Sequence, residues 1–183
     1  MRTFFTADMH LGHVKILEYC DRPFPSVEEM DYELIRRWNA VVGKGDYVYH
    51  VGDFTLQNVK AFRNYVSQLN GWISFVPGSH DRRWINHDDL GDRVSVLPPI
   101  VDIEIEKRKI VLCHYAMRVW NRSHYGALHL YGHSHGMLPG LRNSMDVGVD
   151  TKGSGYAPFS LDEIVEKLAP TEVNPDMDML QWA

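Results

Sequence analysis

Five runs of β-forming residues each lead directly into an aspartate or a histidine, and this recurrence confines the chain to folds that gather strand ends on one side. Phe4-Phe5-Thr6-Ala7 leads into Asp8-Met9-His10, Tyr47–Val51 into Gly52-Asp53, and Trp72–Val76 into Pro77-Gly78-Ser79-His80-Asp81. Ile110–Cys113 leads into His114, and Leu128–Tyr131 into Gly132-His133-Ser134-His135. Loops at the strand ends of an α/β sheet converge, so five dispersed segments can supply one cluster. Asp8/His10 and His133/His135 are i, i+2 pairs, which an extended backbone points to one side. Glycines at 52, 78 and 132 let the chain turn beside a cation without a Cβ in the way.

The remaining sequence supplies the frame. Ile100–Glu106 and Met145–Val149 read as further strands, and the strict alternation of Ile103-Glu104-Ile105-Glu106, followed by the polar Lys107-Arg108 link, predicts an antiparallel hairpin. Ser26-Val27-Glu28-Glu29 reads as a capping box, with Val27, Met30, Leu34, Trp38 and Val41 at helical spacing behind it. Ser160-Leu161-Asp162-Glu163 gives the same start signal for a last helix ending near Pro170, and Asn58–Leu69 is a third. The class is α/β with mixed sheet, organised as one domain over 1–169 with a tail or docked arm at 170–183.

Composition narrows the chemistry. With 183 residues, 44% hydrophobic and 23% charged, the chain has the makeup of one globular domain, and no apolar run approaches the ~18 residues of a membrane span. The N-terminal segment lacks the apolar core of a signal peptide, so a cytoplasmic location is the expectation. Cys20 and Cys113 form no C-x-x-C pattern, which points to metal held by oxygen and nitrogen rather than by thiolates. The formal charge of −5 disfavours an extended nucleic-acid footprint, although two bound divalent cations would bring it to −1.

The ordered set Asp8-x-His10, Gly52-Asp53, Gly78-Ser79-His80-Asp81, His114 and Gly132-His133-x-His135 resembles the motifs of the calcineurin-like metallophosphoesterase superfamily across about residues 1–165. Asp21-Arg22-Pro23-Phe24, Tyr49–Phe54 and Asn143–Asp150 resemble a compact bacterial and phage branch of it. The resemblance implies two packed mixed β-sheets flanked by helices, a four-layer sandwich, and a dinuclear site bridged by Asp53. Asp8, His10, Asp53 and His135 would hold the first ion, and Asp53, Ser79, His114 and His133 the second. Carboxylate with imidazole suits Mn²⁺, Fe²⁺, Zn²⁺ or Ni²⁺ better than Mg²⁺ or Ca²⁺, and two Mn²⁺ ions are the expected cofactors. His80 would act as general acid, with Asp81 orienting it.

The superfamily places Asn where this chain has Ser79, and a hydroxyl is a shorter and poorer neutral ligand than an amide oxygen. Natural variation with water in the vacant place, a deliberate substitution that traps a complex, and drift toward binding without turnover all remain open. The implied activity is hydrolysis of small phosphodiesters, cyclic nucleotides among them, with monoester hydrolysis beside it. The 115–126 loop offers Arg118, Trp120 and His124 as substrate contacts, by guanidinium fork and aromatic stacking. His13 is a further contact or simply the start of a helix, and Arg22 is another candidate. Expected partners are a small phosphoester and a second copy of the chain, with no membrane. Rival readings are a nuclease and a non-catalytic scaffold on the same fold.

Overall fold

Adjacent phenylalanines in the first strand face opposite ways, and that split organises the molecule. The structure, a computed structural model, describes residues 1–169; the expected tail at 170–183 lies outside the described residues. Strand β1 (Thr3–Thr6) turns Phe4 toward a core shared with helices and Phe5 toward a core shared with a second sheet. Its sheet continues through β2 (Tyr47–His50), β3 (Trp72–Phe75) and β4 (Val94–Val96), all parallel, and is closed on the other side of β1 by the antiparallel β9 (Phe159–Ser160).

The second sheet runs β5 (Ile100–Ile105), β6 (Arg108–Cys113), β7 (Leu128–Tyr131), β8 (Ser144–Asp146). The expected hairpin is there: β5 and β6 pair antiparallel from Ile100↔Cys113 to Ile105↔Arg108, through a turn in which Glu106 and Lys107 both take positive φ. β6, β7 and β8 are parallel. Val51, Val76, Ile110, Leu112, Leu130 and Val147 fill the space between the sheets. An Ala7↔Gly148 bridge ties the end of β1 to the chain leaving β8, where the two sheets meet.

Helices flank the pair unevenly. α2 (Val27–Val41) and α3 (Val59–Gln68) cover the outer face of the first sheet, burying Met30, Leu34 and Trp38 with Phe62 and Val66 against Val48, Ile73 and Phe75. The short α1 (Ile16–Tyr19) adds Ile16 to this core, and α4 (Leu161–Leu168) contributes Leu161 and Ile164 to the inter-sheet core. On the outer face of the second sheet, Val111 is covered by Trp120 and Ala127 of the loop after β6. Of the two expected capping boxes, Ser160 and Glu163 form both arms, whereas Ser26 only accepts from the Glu29 amide. Among the described residues, no helix is long and apolar enough to cross a membrane.

Candidate metal centre

The parallel strands deliver their carboxyl ends to one rim, and the residues leaving them adopt an unusual backbone. Asp8, His10, Asp53, His133 and His135 have φ of 58°, 50°, 59°, 67° and 48°. The i, i+2 pairs therefore converge through left-handed kinks, not through the extended backbone that their spacing suggested. Left-handed φ costs an L-residue roughly 1–2 kcal/mol, and such outliers gather where function over-determines the conformation. Glycines permit the approach of one loop to the next: a Cβ on Gly78 would stand 2.2 Å from Asp53 Oδ1, and one on Gly52 (φ +90°) 2.4 Å from His114 Nδ1.

Two groups of ligand atoms result, Asp8/His10/His135 and Asp53/His114/His133, each with its atoms within 4.8 Å of one another. Asp53 stands between them. Its Oδ2 is 3.3 Å from His114 Nε2 and 3.8 Å from His10 Nε2, while its Oδ1 accepts from the His80 amide at 2.8 Å. His114 donates Nδ1–H to the Val51 carbonyl at 2.9 Å, which leaves Nε2 facing inward. Asp8 Oδ1, both ring nitrogens of His10 and His114 Nε2 are buried without a hydrogen-bond partner. Buried polar atoms are ordinarily paired, so three neighbouring residues of metal-ligating type with orphaned buried atoms, Asp8, His10 and His114, fit divalent cations.

Electrostatics agree with that donor set. Burial pushes Asp8 up to about 7, a value that neighbouring His135 and His114 only moderate. Burial likewise drives His10 down to about 2, keeping the imidazole neutral and its lone pair available. For Asp53 burial acts upward, but the adjacent His114 ring, 3.3 Å away, and the His80 amide outweigh it and hold the carboxylate well below its usual range. His135 would be lowered by burial; its hydrogen bond to Asp150 outweighs that and sets it at about 10.

The other expected site residues divide. Ser79 Oγ donates to Asp53 Oδ2 at 3.1 Å, so the hydroxyl reaches the shared carboxylate. The His80 side chain is 44% exposed, its Nε2 is 3.9 Å from Asp53 Oδ2, and its ring stands edge-on to His10 at 5.4 Å. His13 joins this array, with ring centroids 5.7 Å from His10 and 6.4 Å from His80. Asp81 does not orient His80: its carboxylate accepts the amides of Asp53, Phe54 and Gly78, each at 2.9 Å, and so shapes the two loops.

Two expected substrate contacts are displaced. Arg22 is buried, and its guanidinium is taken by Asp150 and the carbonyls of Asp8 and Met9. Trp120 is buried too, donating Nε1–H to the Ala127 carbonyl and packing on His129, because the outer face of β6 needs a cover. Arg118 and His124 are exposed, and His124 packs on Tyr125, with no ring contact to the histidine array. Three neighbours of the centre escaped the sequence reading. Tyr115, 48% exposed, lies edge-on to His133 at 4.7 Å. Asp150 accepts from His135 Nδ1 at 2.7 Å, and Cys20 joins these two in a third group of potential ligands, which adds a thiol to a centre expected to offer only oxygen and nitrogen. Asp150 follows the Met145–Val149 run, so the strand-end signal used for the other five segments points to it as well.

No protein-family model matches the chain. A predicted phosphoesterase of Streptococcus pneumoniae aligns at a TM-score of 0.43 with 17% identity, over 81% of this chain and 71% of that one. A protein of unknown function from Aquifex aeolicus shares the fold at a TM-score of 0.65 with 19% identity, over 91% of this chain and 98% of its own. An uncharacterised protein of Methanocaldococcus jannaschii is 33% identical over 181 residues, 94% of each chain. With its five motifs in order and brought to one centre at the meeting of two mixed sheets, this chain belongs to one family with the uncharacterised M. jannaschii protein.

Proposed function

We propose that the chain is a two-metal phosphoesterase that hydrolyses small phosphodiesters, with Mn²⁺ as the first choice of ion. The observation that carries this reading is the set of three buried side chains around Asp53 whose ligand atoms lack partners, those of Asp8, His10 and His114, with the exposed His80 at the open side. Asp8, His10 and His135 would hold one ion, His114 and His133 the other, and Asp53 both; Ser79 adds only a hydroxyl to the second. A pair of such cations supplies Lewis acidity toward the phosphoryl oxygens and an acidified water.

The chain's own residues do the rest. Asp53 enforces the spacing of the two groups, because its carboxylate is fixed by the His80 amide and faces both His10 and His114. His80 presents its imidazole to solvent beside that carboxylate, where it can protonate a departing alkoxide. His13 lines the same face and would contact a non-transferring phosphate oxygen or its substituent. Tyr115, half exposed against His133, offers an aromatic wall to a leaving group.

The test is hydrolysis of bis-p-nitrophenyl phosphate and p-nitrophenyl phosphate with Mn²⁺ or with EDTA, followed by a panel of cyclic nucleotides and oligonucleotides. Mn²⁺-dependent cleavage, faster on the diester and lost in EDTA, is the expected result. Ser79 favours one alternative, a module that keeps the centre for binding without turnover. Silence in this chain together with activity in Ser79→Asn would identify position 79 as what disables a working enzyme, and silence in both with metal bound would favour the binding module.

A further inference from the structure

Arg22 and Asp150, 128 residues apart in the chain, form a buried ion pair behind His135. The guanidinium, fully shielded from solvent, donates from Nε and Nη2 to the two carboxylate oxygens, each at 2.8 Å. Its other hydrogen bonds run to the carbonyl oxygens of Asp8 at 2.6 Å and Met9 at 2.8 Å and to the Met30 sulfur at 3.3 Å. Asp150 Oδ2 faces His135 Nδ1 at 2.7 Å. A carboxylate only accepts, so Nδ1 carries the proton and Nε2 is the nitrogen left for an ion. One unbroken chain of charge-assisted bonds thus joins the left-handed turn at Asp8 to the ring of His135, the two sides of the first ligand group.

Stability alone gives a poor account of this pair, since desolvating both charges offsets most of their attraction. The second group has nothing like it. His114 is steadied by the neutral Val51 carbonyl, and among the described residues no hydrogen bond reaches the His133 ring. A carboxylate behind an imidazole fixes its tautomer and makes it a stronger ligand, which is what metal centres commonly draw from such partners.

Resting on the two-metal reading above, we propose that Asp150 is a positioning residue for the first group: it holds His135 with Nδ1 protonated and Nε2 presented to the ion, while Arg22 ties that ring to the Asp8-Met9 backbone. The pair therefore makes the first site the tighter of the two.

Mn²⁺ titration of the whole chain without substrate, followed by the electron-paramagnetic-resonance signal of the free ion, tests this in wild type, Asp150→Ala and Asp150→Asn. Asp150→Ala is expected to weaken the tighter site by roughly 10- to 100-fold and to leave the weaker one unchanged. Asp150→Asn, which keeps an acceptor but not the charge, should fall between. Long-range ¹H–¹⁵N spectra of the Zn²⁺-loaded wild type should find His135 protonated at Nδ1, a readout that does not depend on the fate of any variant. Equal weakening of both sites, an unchanged tighter site, or a proton on Nε2 would overturn the proposal. A wild type that binds no ion would overturn the centre together with its brace, whereas one that binds ions but cleaves nothing would overturn the phosphoesterase reading alone.

Discussion

The two ligand groups are built from the same residue types yet are supported differently. Asp8 and His10 are buried, and His135 leans on a carboxylate that a buried guanidinium holds. On the other side His133 is exposed, Ser79 offers a short hydroxyl, and the open face carries His80 and Tyr115. Burial and charge-assisted bracing preorganise a ligand set; exposure and a weak ligand leave room for a substrate oxygen. On the proposed two-metal reading the difference gives holding to the first group and exchange to the second, with Asp53, among the described residues, as the carboxylate common to both.

The largest expected effect comes from removing that common carboxylate. Asp53→Asn should abolish the asymmetry by weakening both ions, and diester hydrolysis should fall by about 10³-fold or more, since bound metal contributes several kcal/mol to catalysis. Loss of only one ion, counted by metal analysis of the purified variant, would break the assignment of Asp53 to both groups.

His80→Ala sharpens the contrast between binding and chemistry. Because His80 meets Asp53 through its backbone amide, which alanine retains, both ions should bind as in wild type. Turnover should fall roughly 10²- to 10³-fold, within the usual span for a lost general acid, and least for substrates with a good leaving group. An equal loss for p-nitrophenyl and alkyl leaving groups would contradict the role.

The pH dependence of ion binding separates the groups further. A ligand must shed its proton before it binds metal, so a raised value makes affinity climb with pH until that value is passed. In the first group, Asp8 is raised to about 7 by burial, and His135 to about 10 because Asp150 outweighs burial. In the second, burial acts downward on His114, but Asp53 outweighs it and sets the ring at about 8. Affinity of the first site should therefore rise by about tenfold per pH unit through pH 9, and more steeply below 7. That of the second should level off near pH 8. Parallel curves for the two sites would remove this distinction.

The strand ends were legible because a β run followed by Gly and Asp or His is a local pattern, and all five such segments do meet. The reason for their convergence was not legible, since left-handed φ at Asp8, His10, Asp53, His133 and His135 depends on contacts among distant loops. Strands β4 and β9, of three and two residues, are too short to display a period of two. Arg22 and Trp120 illustrate a deeper limit. A loop arginine or tryptophan looks like a substrate contact until its partner is known, and those partners are Asp150, 128 residues away, and the outer face of a strand. Asp81 was placed in the right loop, yet its carboxylate is spent on three amides rather than on the neighbouring imidazole.

The most direct measurement of the asymmetry is a Mn²⁺ titration of this chain beside its Ser79→Asn variant at pH 7.5. Two ions should bind wild type with distinct affinities, and Ser79→Asn should tighten only the weaker, by about tenfold for one improved ligand worth roughly 1.4 kcal/mol, with turnover rising in step. Two equivalent sites in wild type, or a substitution that tightens the stronger site, would contradict the account.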